Sequence, residues 1–101
     1  MTADEKEFYS FVNEAKKRNI RLNDVDVKYG DPLITLSTCN EIFGKDREGR
    51  LVIMARRLRE GEDPLAGTQN SSTNHNVKWP SVYYEYNSVQ KFREEDFVPY
   101  G

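Results

Sequence analysis

Along the first fifth of the chain, Phe8, Phe11, Val12 and Ala15 recur at the three- and four-residue intervals that place side chains on one side of a helix. The spacing predicts an amphipathic helix over residues 4 to 18, laying one aromatic edge on a sheet. Thr2 and Glu5 have the spacing of a capping box, in which side chains satisfy backbone N–H groups that the first turn leaves unbonded. Lys16, Lys17 and Arg18 oppose the negative end of the helix dipole, and Asn19 is expected as a left-handed stop.

The pattern then changes period. Residues 20 to 32 alternate weakly through Ile20, Leu22, Val25 and Val27, a connector that can hold a short strand, and close on the turn-forming Tyr29-Gly30-Asp31-Pro32. Leu33 to Thr38 is an apolar and β-branched run of strand length, expected to be buried. A turn-rich stretch from Asn40 to Gly49 follows, and Arg50 to Leu58 reads as a returning strand. The two strands predict an antiparallel hairpin whose loop is longer than the usual two to five residues, a length often kept for function. After Glu60 the chain turns polar. Residues 67–76 read as a loop or disordered linker, and Val82 to Tyr86 suits an edge strand within an aromatic-rich tail. The division expected is therefore a portion at 1–60 and a linker with tail at 61–101, partly disordered or packed on the first part.

Composition narrows the function classes. With 15 basic and 17 acidic side chains, a net charge of −2 and no long block of one sign, the chain has no electrostatic footprint for nucleic acid. No run reaches the roughly 18 apolar residues of a membrane span, and the first residues form neither a signal nor an anchor pattern. One cysteine and one histidine leave no internal disulfide and too few soft ligands for a metal centre. No cofactor is expected.

Cys39 is therefore either a reactive thiol or a packed one. It ends a strand and faces a polar loop, a position that holds a sulfur on a rigid element with one side open. A thiolate nucleophile needs a cation or base near it and donors for the oxyanion that forms. In a hairpin the end of one strand meets the start of the next, which brings Arg50 to Cys39. The plainer reading is a core cysteine beside a solvated arginine.

Thr35-Leu36-Ser37-Thr38-Cys39 resembles the sortase pattern Thr-Leu-x-Thr-Cys, and Arg50-Leu-Val-Ile-Met-Ala-Arg-Arg-Leu is similar to the arginine-led strand that follows it. The helix, the Asp31-Pro32-Leu33-Ile34 approach and the serine at 37 are most similar to class B sortases, over roughly residues 5 to 60. The resemblance implies an α+β chain: one amphipathic helix, an antiparallel hairpin from a sortase-like β-barrel, and an irregular aromatic-rich tail. It implies Cys39 as the nucleophile that forms a thioacyl intermediate, Arg50 as the residue holding substrate and oxyanion, and Ser37 and Thr38 as substrate contacts. The implied partners are a sorting-signal peptide and a cell-wall amine, and the implied location is the outer side of the cell membrane. Sortases also use a histidine upstream of the cysteine. None precedes Cys39, and His75 reads as a solvated loop imidazole, so little activity is expected of this chain by itself. A non-catalytic remnant that binds a protein, or self-associates through an exposed sheet edge, is the alternative.

Three further patterns have plain readings. Arg56, Arg57 and Arg59 suit a solvated face more than a docking surface, and Trp79, Tyr83, Tyr84 and Tyr86 suit self-packing more than a ligand platform. Asn70-Ser71-Ser72 fits the N-glycosylation triplet weakly.

Overall fold

The computed structural model describes residues 2–40 and 49–101, so the long loop expected between the hairpin strands lies, except for its end residues, outside the described residues. The order of elements is α1 (Ala3–Lys17), β1 (Arg21–Leu22), β2 (Leu33–Asn40), β3 (Gly49–Arg56), β4 (Ser72–Thr73), α2 (Ser81–Tyr86) and a single 3-10 turn at Glu94–Asp96. This is a small α+β arrangement of one long helix and two antiparallel two-stranded sheets, β2–β3 and β1–β4. Among the described residues no helix is long and apolar enough to cross a membrane.

Helix α1 begins where the cap predicts. The Thr2 hydroxyl accepts the Glu5 N–H at 3.1 Å and donates to the Glu5 carboxylate at 3.2 Å, joining the two side chains directly. Its other end differs from the expectation at Asn19, because no non-glycine residue described has a positive φ. The helix closes instead through the Arg18 N–H on the Ala15 carbonyl and the Asn19 N–H on the Lys16 carbonyl, both at 3.1 Å, with the Lys17 carbonyl taken by the Lys78 N–H at 2.8 Å.

The helix does not lie on a sheet. Val12 is buried together with Val27 and Val77, which belong to connecting segments, and these three valines are the buried apolar core of the described chain. Phe8 stacks edge-on against Tyr9 and Tyr29, while Phe11 is exposed. So small a core leaves much of the tertiary structure to polar clamps. Asn13 accepts the Tyr100 N–H at 2.6 Å and donates to the Tyr100 carbonyl at 3.1 Å. Asn76 grips the backbone of Arg93 in the same two-way manner, at 2.8 and 2.9 Å. Each amide side chain thereby imitates a strand partner and ties the tail to the body.

Two glycines permit close turns. Gly30 has φ +97° at the third position of a turn closed by the Asp31 N–H on the Lys28 carbonyl. Gly67 has φ +76° and accepts the Asp24 N–H at 3.0 Å; a Cβ there would stand 2.8 Å from the backbone of Asp24 and Val25.

The expected edge strand at Val82–Tyr86 is instead the helix α2. Pro80 precedes it with φ −58°, a value preset for helix entry. The one-turn geometry also stacks Tyr83 on Trp79, with ring centroids 4.3 Å apart, and lets the Tyr84 hydroxyl accept the Trp79 N–H at 3.1 Å. Alternation gave the wrong period because the aromatics pack on each other four and five residues apart. The stretch expected as a linker likewise holds structure: β4 pairs with β1, Arg21 with Thr73 and Leu22 with Ser72. Asn70 donates to the Asp24 carboxylate at 2.9 Å.

Asn13→Ala is expected to lower unfolding free energy by about 1–2 kcal/mol, since it leaves a half-buried backbone amide without its partner. Chemical denaturation measures the loss, and limited proteolysis should then cut the C-terminal tail first.

Candidate functional site

The hairpin carries the residues that the sequence singles out. Its register pairs Leu33 with Arg56, Ile34 with Ala55, Thr35 with Met54, Leu36 with Ile53, Ser37 with Val52, Thr38 with Leu51, Cys39 with Arg50 and Asn40 with Gly49. Cys39 and Arg50 are thus direct partners in the ladder. The Arg57 N–H donates to the Pro32 carbonyl at 2.9 Å, one step beyond Leu33 and Arg56. Hydrogen-bonded and non-hydrogen-bonded pairs alternate along an antiparallel ladder, so Cys39–Arg50 is of the second kind, in which the Cα atoms approach most closely. Ser37 and Thr38 are exposed beside it, and the Thr38 hydroxyl leans on the Leu51 carbonyl at 3.5 Å.

The expected burial of this strand is overturned. Ile34 is 61% exposed, Leu36 56% and Ile53 52%, and Leu51 and Val52 are open as well. An apolar and β-branched run reads as buried because burial is the usual way to satisfy it, but among the described residues no layer covers either strand beyond the root of the hairpin. Ile34, Leu36 and Leu51, Ile53, Ala55 alternate onto one face, leaving a continuous apolar surface. The Cα radius of gyration, 15.2 Å against about 13 Å for a compact chain of this length, agrees with a ribbon standing out from the body.

The root is anchored, and charge anchors it. Arg56 places Nη1 and Nη2 at 2.9 and 2.8 Å from the two Glu62 carboxylate oxygens, and Arg59 places Nε and Nη2 at 3.1 and 2.7 Å from those of Asp31. Asp31 precedes β2 and Glu62 follows β3, so the Arg59–Asp31 fork ties the entry of the hairpin to its exit, and the Arg56–Glu62 fork holds the end of β3 to the turn that follows it. The Arg56 side chain is 6% exposed, and its Nε is buried without a partner among the described residues. Arg56 and Arg59 therefore belong to this clasp rather than to a solvated face, while Arg57 is exposed. The guanidinium of Arg59 holds the Asp31 carboxyl down to about 2, and that of Arg56 does the same for Glu62, also to about 2.

Between the helix and the hairpin root lies a cavity of about 160 Å³, walled by Val12, Lys16, Val27, Leu33, Met54 and Tyr100 among others. Two of its cations, Lys16 and Arg21, are engaged. Lys16 Nζ stands 4.1 Å from the centre of the Tyr100 ring, and burial pulls its ammonium below the usual lysine range while pushing the Tyr100 phenol up. Arg21 bonds Ser71 and Thr73.

His75 does not join the hairpin. It is exposed between Asn74, whose amide donates to the Asn19 carbonyl at 2.7 Å, and Asn76, which clamps Arg93. Both neighbours hold it to the body, whereas Cys39 stands about 20 Å along the strand from Leu33 at the root. Trp79 and Tyr83 stack on each other, the self-packing reading. Among the described residues no group of three or more His, Cys, Asp or Glu could hold a metal ion. The clasp went unnoticed in the sequence, although an acid just before the first strand and another just after the second were its visible sign.

Comparison with protein-family models, with curated proteins and with solved structures finds no match.

Because both clasp carboxyls titrate lower in the folded chain than their ordinary values of 3.8 and 4.5, their contribution to stability is present above about pH 4.5 and is lost as pH falls toward 2. Urea midpoints measured across that window should decline with acid, and Asp31→Asn should flatten the decline.

Proposed function

We propose that this chain carries the nucleophile and the oxyanion-facing cation of a sortase-like cysteine transpeptidase, in a hairpin that by itself makes only part of a working site. The observation that supports the reading is the direct register of Cys39 with Arg50, joined to the Thr-Leu-Ser-Thr-Cys run that resembles the sortase pattern. In the proposed reaction the Cys39 thiolate adds to the carbonyl carbon of a threonine in an extended sorting peptide. Arg50 faces the negative oxygen of the tetrahedral intermediate. Its collapse breaks the C–N bond and leaves a thioester on Cys39; a cell-wall amine then attacks that thioester and releases the thiolate. The departing amine needs a proton donor, and β2 and β3 contain no histidine. Turnover by this chain alone is accordingly proposed to be slight. Ser37 and Thr38 would lie beside the bound peptide, and the outer side of a cell membrane is the location that goes with this activity.

A second reading is favoured by one observation, the exposed apolar face of the hairpin. It makes the chain a non-catalytic module, of the same ancestry, that binds another protein along the ribbon.

A methanethiosulfonate reagent should label Cys39 in the folded chain, and Cys39→Ala should abolish the labelling. Arg50→Gln should slow an anionic reagent about threefold, the effect of one exposed charge several ångströms away in a water-like dielectric, and slow a neutral reagent less. A thiol that reacts only after denaturation, or at a rate indifferent to residue 50, would end the catalytic reading.

A further inference from the structure

The two edges of the hairpin are chemically different. In an antiparallel ladder, residues of the non-hydrogen-bonded pairs turn their backbone N–H and C=O groups outward. The outer edge of β2 therefore offers the groups of Leu33, Thr35, Ser37 and Cys39, and the outer edge of β3 those of Arg50, Val52, Met54 and Arg56. Among the described residues no strand pairs with either edge. Natural sheets protect such edges with lysine, proline, a bulge or a covering segment. β2, Leu-Ile-Thr-Leu-Ser-Thr-Cys-Asn, has no charge, no proline and no glycine, and pairs without a bulge over its eight residues.

We propose that the outer edge of β2 pairs with the same edge of a second copy of this chain, antiparallel about a two-fold axis at Leu36, to give a continuous four-stranded sheet. A closed pair of identical edges must be antiparallel. Centring on Leu36 sets Leu33 opposite the second copy's Cys39 and Thr35 opposite the second copy's Ser37, and these are the residues whose backbone groups point outward. All four outward residues of each strand then find partners. The same register sets Leu36 against Leu36 and Ile34 against Thr38, so that the apolar faces of the two ribbons join into one. Composition selects this edge over the other: β3 carries an arginine near each end of its outer edge, the kind of charged residue that protects an edge strand, whereas β2 carries no charge. The two cysteines end far apart in this register, about 20 Å by strand rise, so the dimer contains no disulfide.

This deepens the interaction reading by naming its partner, and it does not depend on the acyl-transfer reading. A seven-residue ladder covers less than the roughly 800 Å² per partner of a standard interface, so the equilibrium depends on concentration. Sedimentation equilibrium of the intact chain should show monomer and dimer, unchanged by reductant. Leu36→Lys and Leu36→Glu should each raise the dissociation constant about tenfold or more, while their mixture should restore association close to the starting value. Leu36 is exposed, and the mixture shows that both variants fold. Val52→Lys, on the outer strand of the proposed dimer, should leave the constant unchanged. A chain that stays monomeric at its highest soluble concentration, a dimer indifferent to residue 36, or one abolished by Val52→Lys would overturn the proposal. A monomer that nonetheless binds an unrelated peptide of alternating apolar residues would refute self-pairing but keep the interaction reading, and a monomer that binds none would refute both.

Discussion

Asp31 stands just before the first long strand and Glu62 shortly after the second; Asp31 grips Arg59 across the root, and Glu62 grips Arg56 at the end of the second strand, each with two prongs. These forks carry much of what fixes the ribbon to the body, because the buried apolar contacts there are few. A carboxylate and a guanidinium with matched planes give direction as well as attraction. Two such pairs, placed at entry and exit, set the angle at which the strands leave. The Nε of Arg56, buried without a partner among the described residues, is a cost set against that orientation.

Beyond the root, geometry and exposure pull in different directions. Register brings Cys39 and Arg50 together, which a thiol nucleophile requires, but the ribbon that carries them is open on its apolar face. A two-stranded ribbon is marginal in water without further strands or a packed layer. The proposed chemistry at the tip and the proposed association along the side would therefore be linked physically. Whatever covers the face also stiffens the strands on which the thiol and the cation stand.

The sequence showed most of the local structure and less of how the pieces meet. Helix α1, the Gly30 turn and both hairpin strands follow from cap, turn and β-branched signals that act within a few residues. The nearness of Cys39 to Arg50 was legible because a hairpin brings the end of one strand to the start of the next. Other features were not. Leu33 to Thr38 looked buried, since hydrophobicity records what a strand prefers and not what stands over it. Tyr83, Tyr84 and Tyr86 looked like alternation, but stacking on Trp79 and the Pro80 backbone favour a helical turn. The amide clamps of Asn13 and Asn76 join positions far apart in the chain, and a single asparagine gives no local sign of a distant backbone partner.

Gly67 carries one more implication. Loops rich in small polar residues are ordinarily where a lineage accumulates change most freely. Here that freedom is withdrawn at one point, because the main chains at 24–25 and 67 touch with no room for even a methyl group, and the dihedral angle disfavours any L-residue. Drift in that loop is tethered to a single position where a side chain of any kind would force two main chains apart.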